Sequence, residues 1–365
     1  MATYNNYVTI TKAIGIILMV IGHSGCPLWL DNLIYLFHMP LFFFCSGMFF
    51  NALNNNRDIF IFLKKKFQGL YVPFIKWSVF FLILHNIFMF IGVYNQNYGY
   101  MGGSSYYGIY DCLNSLLGLL FTMHHYEELL GGFWFIRTLF VSSIIISISS
   151  FLYRKDNEIR YLIFALVYVI ISVFVRKYCP KEELYRDVAL GTLGAFFYVA
   201  GFYFRKIADI ISYRNSMFCS TSVLLLINWF YPDGITMNCT YNHVFPYLLS
   251  GIMGTVAVLC LSKMLENYTS YIKKGLYYIG NHTMIILTLH FLSFKIVSLI
   301  VALVYGLSLT HVAEHPVINE KLPFSSTWWV IYSIIGVVVP LSLLRCWFFI
   351  SGKIRCLITN HPIKL

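Results

Sequence analysis

An all-α, polytopic membrane protein of about ten transmembrane helices, with both termini cytoplasmic, is the fold class this sequence predicts. Three observations lead there. Of 365 residues, 59% are hydrophobic and only 11% are charged, too few charges to cover a soluble protein of this size. Apolar runs long enough to cross about 30 Å of hydrocarbon recur along the whole chain. The basic residues sort by side, as the positive-inside rule requires. Backbone groups within lipid must be satisfied internally, so the runs read as a helical bundle forming a single domain over residues 1–365.

The predicted spans are 8–25, 33–50, 70–93, 133–152, 160–175, 188–204, 217–232, 244–265, 282–305 and 328–349. With the N-terminus inside, seventeen Lys and Arg fall in cytoplasmic segments and five in external loops. The five are Arg176, Lys177, Lys181, Arg186 and Lys321. This sorting also accounts for the net charge of +11 without a nucleic-acid partner. The first run lacks a basic flank and is read as retained rather than cleaved. Nine cysteines without a C-x-x-C pair read as packing, and no metal is expected.

Spans 1 and 2 carry ionisable side chains inside hydrocarbon. Lys12 and His23 are eleven residues apart, which places them on nearly one helix face and roughly 16 Å apart along the axis. His38 enters span 2 from the same end as His23. A buried ionisable group in a membrane helix marks a ligand or ion path, although a histidine there also serves simply to bond a neighbouring helix. Asp31, in the connecting turn, is the one acid available to orient His23. Cys45 and Ser46 are nucleophile types, but Ser46-Gly47 at a helix crossing more often permits close packing.

The first cytoplasmic loop holds Arg57 and the run Lys64-Lys65-Lys66. This run reads equally as a topology anchor on anionic lipid and as a phosphate-binding patch. Residues 94–132 form a long external segment that suits a lid over a sugar. Within it, Cys112–Met123 is too short to cross upright and reads as a re-entrant or interfacial helix. His124-His125-Tyr126-Glu127-Glu128 reads as a wet loop in preference to a metal site, since adjacent histidines point to different faces. Span 4 opens with Trp134, an interfacial anchor or substrate contact, and Arg137, which either snorkels or holds an anionic group. Spans 5 to 8 read as scaffold. Span 9 carries His290 near mid-membrane, a further substrate-binding candidate.

The runs KAIGIILMVIGHS and IYLFHMPLFFFCSGMFF resemble the opening of the acyltransferase 3 family, whose basic-x10-His signature falls on Lys12 and His23. GFWFIRTLF at Gly132–Phe140 and YIGNHTMIILTLHF at Tyr278–Phe291 are similar to later family segments. The last is closest to the subgroup named after fucose 4-O-acetylase. The resemblance implies an integral membrane O-acyltransferase, in a bacterial inner membrane, that moves an acetyl group from acetyl-CoA to a carbohydrate hydroxyl. It implies His23 and His38 as catalytic groups and Lys12 with Lys64–Lys66 as the acyl-CoA anchor. The family's paired-basic motif before L-x-x-P is incomplete here, because Gly69 stands at its second position. The rival class is a transporter or flippase for a glycan-related solute, which also lines a bundle interior with histidines and cations. A channel-like or purely structural membrane protein is a third.

Overall fold

The computed structural model describes residues 4–100, 102–153, 158–238, 243–267, 271–319 and 325–359. Arg154, Lys155, Cys239, Lys321 and Lys364 lie outside the described residues, as do the side chains of Lys353, Arg355 and Cys356. The described chain is helical, with no strand. Its helices are α1 (Tyr4–Gly22), α2 (Leu28–Tyr35), α3 (His38–Met48), α4 (Asn56–Lys66), α5 (Val72–Phe90), α6 (Ile109–Thr122) and α7 (Phe133–Leu152). They continue as α8 (Arg160–Tyr178), α9 (Glu183–Ile207), α10 (Tyr213–Phe230), α11 (Val244–Glu266), α12 (Tyr271–Asn281), α13 (Thr283–Tyr305) and α14 (Ser325–Thr359). Among the described residues, eight helical segments are long and apolar enough to cross a membrane. The first and seventh predicted spans correspond to α1 and α10, which fall outside those eight.

The second span is broken where its chemistry begins. Helix α2 stops at Tyr35, Phe37 leaves helical geometry at φ −146°, and α3 restarts at His38. Pro40 has no N–H to give the Leu36 carbonyl, and that carbonyl lies 3.4 Å from the Ser250 hydroxyl, which also reaches the Tyr247 carbonyl at 3.0 Å. The break also leaves the Ile34 carbonyl open to the His38 ring.

Two expectations for the cytoplasmic side change. The Arg57–Lys66 segment is helix α4 rather than a loop, and it runs into α5 through a single π-helical turn at Phe67–Tyr71. Pro73 explains the wide turn, because it cannot donate to the Gly69 carbonyl as an α-helix requires. Arg160, counted as a topology cation, is 2% exposed. Its guanidinium donates to the Leu53 carbonyl at 2.7 Å and to Asn54 Oδ1 at 2.9 Å, pinning the turn that follows α3.

Helix α6 is short, as expected. It leaves Leu113, Leu117 and Phe121 exposed and ends at Met123, whose φ is 55°. The core centres on α3 and α9, which cross closely. A Cβ on Gly47 would lie 1.8 Å from the Tyr198 carbonyl oxygen, and one on Gly201 would lie 2.0 Å from that of Phe44. Small residues at such crossings replace the hydrophobic drive that lipid removes.

Candidate active site

A cavity of about 1230 Å³ runs through the bundle. Lys12, Lys66 and Phe49 line it, as do His23, His38, Asp31, Tyr100 and His315. Helix α1 supplies Lys12 and leads directly to His23, which follows its last residue. The predicted stripe therefore faces the cavity at both residues.

His23 sits in a cluster of rings. The Tyr35 hydroxyl is 3.3 Å from its Nδ1. His290 stacks on it with ring centroids 5.5 Å apart and planes 26° apart, and Phe291 lies 5.0 Å away. Tyr35 also meets His38 edge-on at 4.8 Å. The hydroxyl, not Asp31, is thus the group that orients His23. Asp31 lines the cavity but makes no hydrogen bond to the ring among the described residues.

The hydrogen bonds assign the other two rings. His38 Nδ1 donates to the Ile34 carbonyl at 2.9 Å. His290 Nδ1 donates to the Leu287 carbonyl at 3.0 Å. A carbonyl only accepts, so in the neutral rings the lone pair rests on Nε2. For His38 that ring borders the cavity. His290 is not on the cavity wall: it is wholly buried, its Nε2 has no hydrogen-bond partner, and it backs His23. Gly132 packs against the same helix, where a Cβ would lie 2.8 Å from the Leu287 side chain.

The lysines divide. Lys12 and Lys66 line the cavity, and neither is paired with a carboxylate among the described residues. Lys66 Nζ sits over the Phe62 and Tyr198 rings at 5.4 and 5.2 Å. Lys64 and Lys65 are exposed on α4, off the cavity wall.

Trp134 lines the cavity rather than standing only at an interface. Arg137 does not snorkel. It is 4% exposed and pairs with Asp187 of α9 at 2.8 Å. The 124–128 segment is not a wet loop either. His124 faces Glu183 and Asp187 at 3.1 and 3.3 Å. Glu127 is buried and bonds His85 of α5 at 2.8 Å, while His85 Nε2 donates to the Ser105 carbonyl and its ring stacks on Tyr107. Helix α9 begins ahead of the predicted span 188–204, and its first turns, read as external loop, reach the site through Glu183, Arg186 and Asp187.

Three further groups escaped the sequence reading: Tyr35, Glu128 and His315. His315 lies 4.5 Å from Phe291, and its Nδ1 is 3.6 Å from Glu128 Oε1. Glu128 Oε2 accepts the Tyr100 N–H at 2.6 Å. Burial, with Lys295 and His290 nearby, pushes the His315 imidazole down to about 3. Burial raises the Glu128 carboxyl above its usual range, against the Tyr100 N–H and Lys295, which lower it.

A buried imidazole cluster on a cavity that also carries unpaired cations suits transfer of a group from an anionic donor. The sequence profile of an acyltransferase domain matches residues 5–347. The chain belongs to the acyltransferase 3 family. No curated protein and no solved structure matches it significantly. In this membrane acyltransferase, Lys12 and His23, on which the resemblance placed the family's basic-x10-His pattern, line one cavity together with His38. The aromatic pair Trp134-Phe135 of the third segment lines the same space, and the fourth segment supplies Leu287 and Phe291.

Proposed function

We propose that this acyltransferase is an O-acetyltransferase of the fucose 4-O-acetylase-like subgroup. It takes acetyl from cytoplasmic acetyl-CoA and places it on a hydroxyl of a surface or lipid-linked carbohydrate, in the cytoplasmic membrane of a bacterium. One observation supports the reading: Lys12 and Lys66, His23 and His38, and Tyr100 and His315 of the segments read as external all line a single cavity.

The chemistry follows from the groups present. Lys12 and Lys66 attract the CoA phosphates. The thin pantetheine arm runs along the α1 stripe and brings the thioester to His23. The acceptor arrives from the side of Tyr100 and His315. His23 takes the proton of the acceptor hydroxyl as that oxygen attacks the thioester carbonyl. The carbon–sulfur bond then breaks, and the imidazolium returns the proton to the CoA thiolate. Acceptor alcohol and acetyl-CoA become ester and free CoA. The Tyr35 hydroxyl, 3.3 Å from Nδ1, holds the ring angle, and the tautomer with Nδ1–H given to that oxygen is the one that leaves the basic lone pair on Nε2.

The test uses purified protein in detergent with radiolabelled acetyl-CoA and a membrane-glycan extract of the source cell. Wild type labels glycan, and His23→Ala lowers labelling about 10²- to 10⁴-fold, the range of a lost general base. A transporter needs a sealed membrane, so acetyl-CoA left untouched in detergent across several extracts would sink the enzyme reading. Label retained on wild-type protein alone would replace direct transfer with a covalent acyl-enzyme.

A further inference from the structure

The cavity has a second polar region that the chemistry at His23 does not use. It is built by the 124–126 segment and the starts of α7 and α9, and residues 236–238 line the same cavity. Asp187 joins it together, taking Arg137 at 2.8 Å and facing His124 at 3.3 Å, while Glu183 faces the other nitrogen of His124 at 3.1 Å. Side-chain exposure falls from 65% at Glu183 to 12% at Asp187 and 5% at Arg137. The network therefore begins at an opening and runs inward.

Its satisfaction is incomplete. Nε of Arg137, Nε of Arg186 and Oδ1 of Asn238 are buried without a hydrogen-bond partner. So is His124 Nε2, which is near Asp187 but not aligned for a hydrogen bond. Buried polar atoms in native proteins are nearly always satisfied, because leaving one without a partner forfeits its hydration. Four together on a cavity wall call for a polar occupant.

We infer that this region is the glycosyl subsite for the acceptor, built for an uncharged, polyhydroxylated ring. The inference rests on the carbohydrate reading above and deepens it. Two guanidinium groups and two carboxylates balance, so no fixed net charge selects an anion. A phosphate or uronate would meet Glu183 and Asp187 at close range, which opposes it. Vicinal hydroxyls both give and accept hydrogen bonds, and carboxylate and guanidinium groups side by side match that pattern. Tyr126 and Trp134 line the same region and offer ring faces to the apolar side of a sugar.

The test compares wild type with Glu183→Gln and Arg186→Gln, full-length and purified in detergent. Labelled acetyl-CoA and membrane-glycan extract are supplied, and neutral and anionic glycans are separated afterwards. Acetyl-CoA affinity is measured in parallel by equilibrium dialysis. Each substitution is expected to cut label in neutral glycan about tenfold or more while donor affinity stays unchanged. Arg186→Lys, which keeps charge but loses the planar fork, should fall between. Glu183 lies at the exposed mouth, so its substitution should not unfold the protein. Unchanged labelling in both variants, or lost acetyl-CoA affinity in the Glu183 variant, would overturn the assignment. Label confined to anionic glycan would overturn the uncharged ring. Wild type that binds acetyl-CoA yet labels no glycan would remove the carbohydrate reading itself, and the subsite with it.

Discussion

Helix α3 has two faces that obey opposite rules. One face is a dry seam on α9, where Gly47 and Gly201 bring backbones into contact. The other presents His38, Phe42 and Ser46, spaced four residues apart, to the cavity. On the seam, any added atom clashes. On the cavity face, polar groups stand open to a ligand. The pairing shows how a membrane bundle keeps a reactive ring in place. Lipid gives no hydrophobic drive between helices, so rigidity on the reactive face depends on packing on the opposite one.

The sharpest way to break this comparison is on the seam. Gly47→Leu should leave no folded protein, because the clash is with Tyr198 backbone rather than a movable side chain. Its neighbour Ser46→Ala, one residue away on the open face, should stay monodisperse in detergent with near-native melting. Size-exclusion and thermal melting of both variants decide it. Equal behaviour of the two would mean that the faces do not differ.

The lysines sharpen the comparison on the donor side. Lys12→Ala and Lys66→Ala should each raise the KM for acetyl-CoA about tenfold, the loss of one charged contact. Lys64→Ala and Lys65→Ala should change it little, since both side chains are exposed off the cavity wall. Steady-state kinetics across the four variants would show whether the cation run acts as a unit or only through its last member.

The helical class and the Lys12–His23–His38 grouping were legible because each depends on local spacing; the break inside the second span was not, since 33–50 reads as one continuous apolar run. Residues eleven apart on one helix share a face whatever surrounds them. Tyr35 was not legible: in an apolar run, a tyrosine beside Leu36 and Phe37 reads as packing. The helix break at Phe37 turns it toward both histidines. Asp187, Glu128 and His315 could not be placed by spacing, since each joins the site across at least fifty residues of intervening chain from its partner or lies in a loop without periodicity. Buried acids opposite His124 and Arg137 are long-range facts that only the fold supplies. The same long-range pairing makes the first turns of α9, read as external loop ahead of span 6, part of the site.

Tyr35→Phe tests the ring cluster itself. The hydroxyl contact to His23 is lost while the edge contact to His38 stays. The expected result is about a tenfold fall in kcat, with KM for acetyl-CoA unchanged, because one orienting hydrogen bond is worth about 1 kcal/mol. An unchanged kcat would mean that packing by His290 and Phe291 alone orients His23.

A last effect, on stability and pH rather than on turnover, lies at His315. In the folded protein this ring stays neutral down to about pH 3. In the unfolded chain it takes a proton near pH 6.5. The unfolded state therefore binds more protons between those values. The contribution of His315 to stability is complete above pH 6.5 and is lost as pH falls toward 3. At pH 5 the loss is on the order of 2 kcal/mol. Substituting His315→Gln removes the titrating group, so the drop in melting temperature from pH 7.5 to pH 5 should be smaller in the variant than in wild type. Glu128 works in the opposite sense, because its raised carboxyl makes the folded state favour the proton as pH falls. The double variant with Glu128→Gln isolates the histidine. If the pH dependence of melting is the same with and without His315 in that background, the ring is not held neutral by burial, and the outer end of the cavity is wetter than its packing against Phe291 indicates.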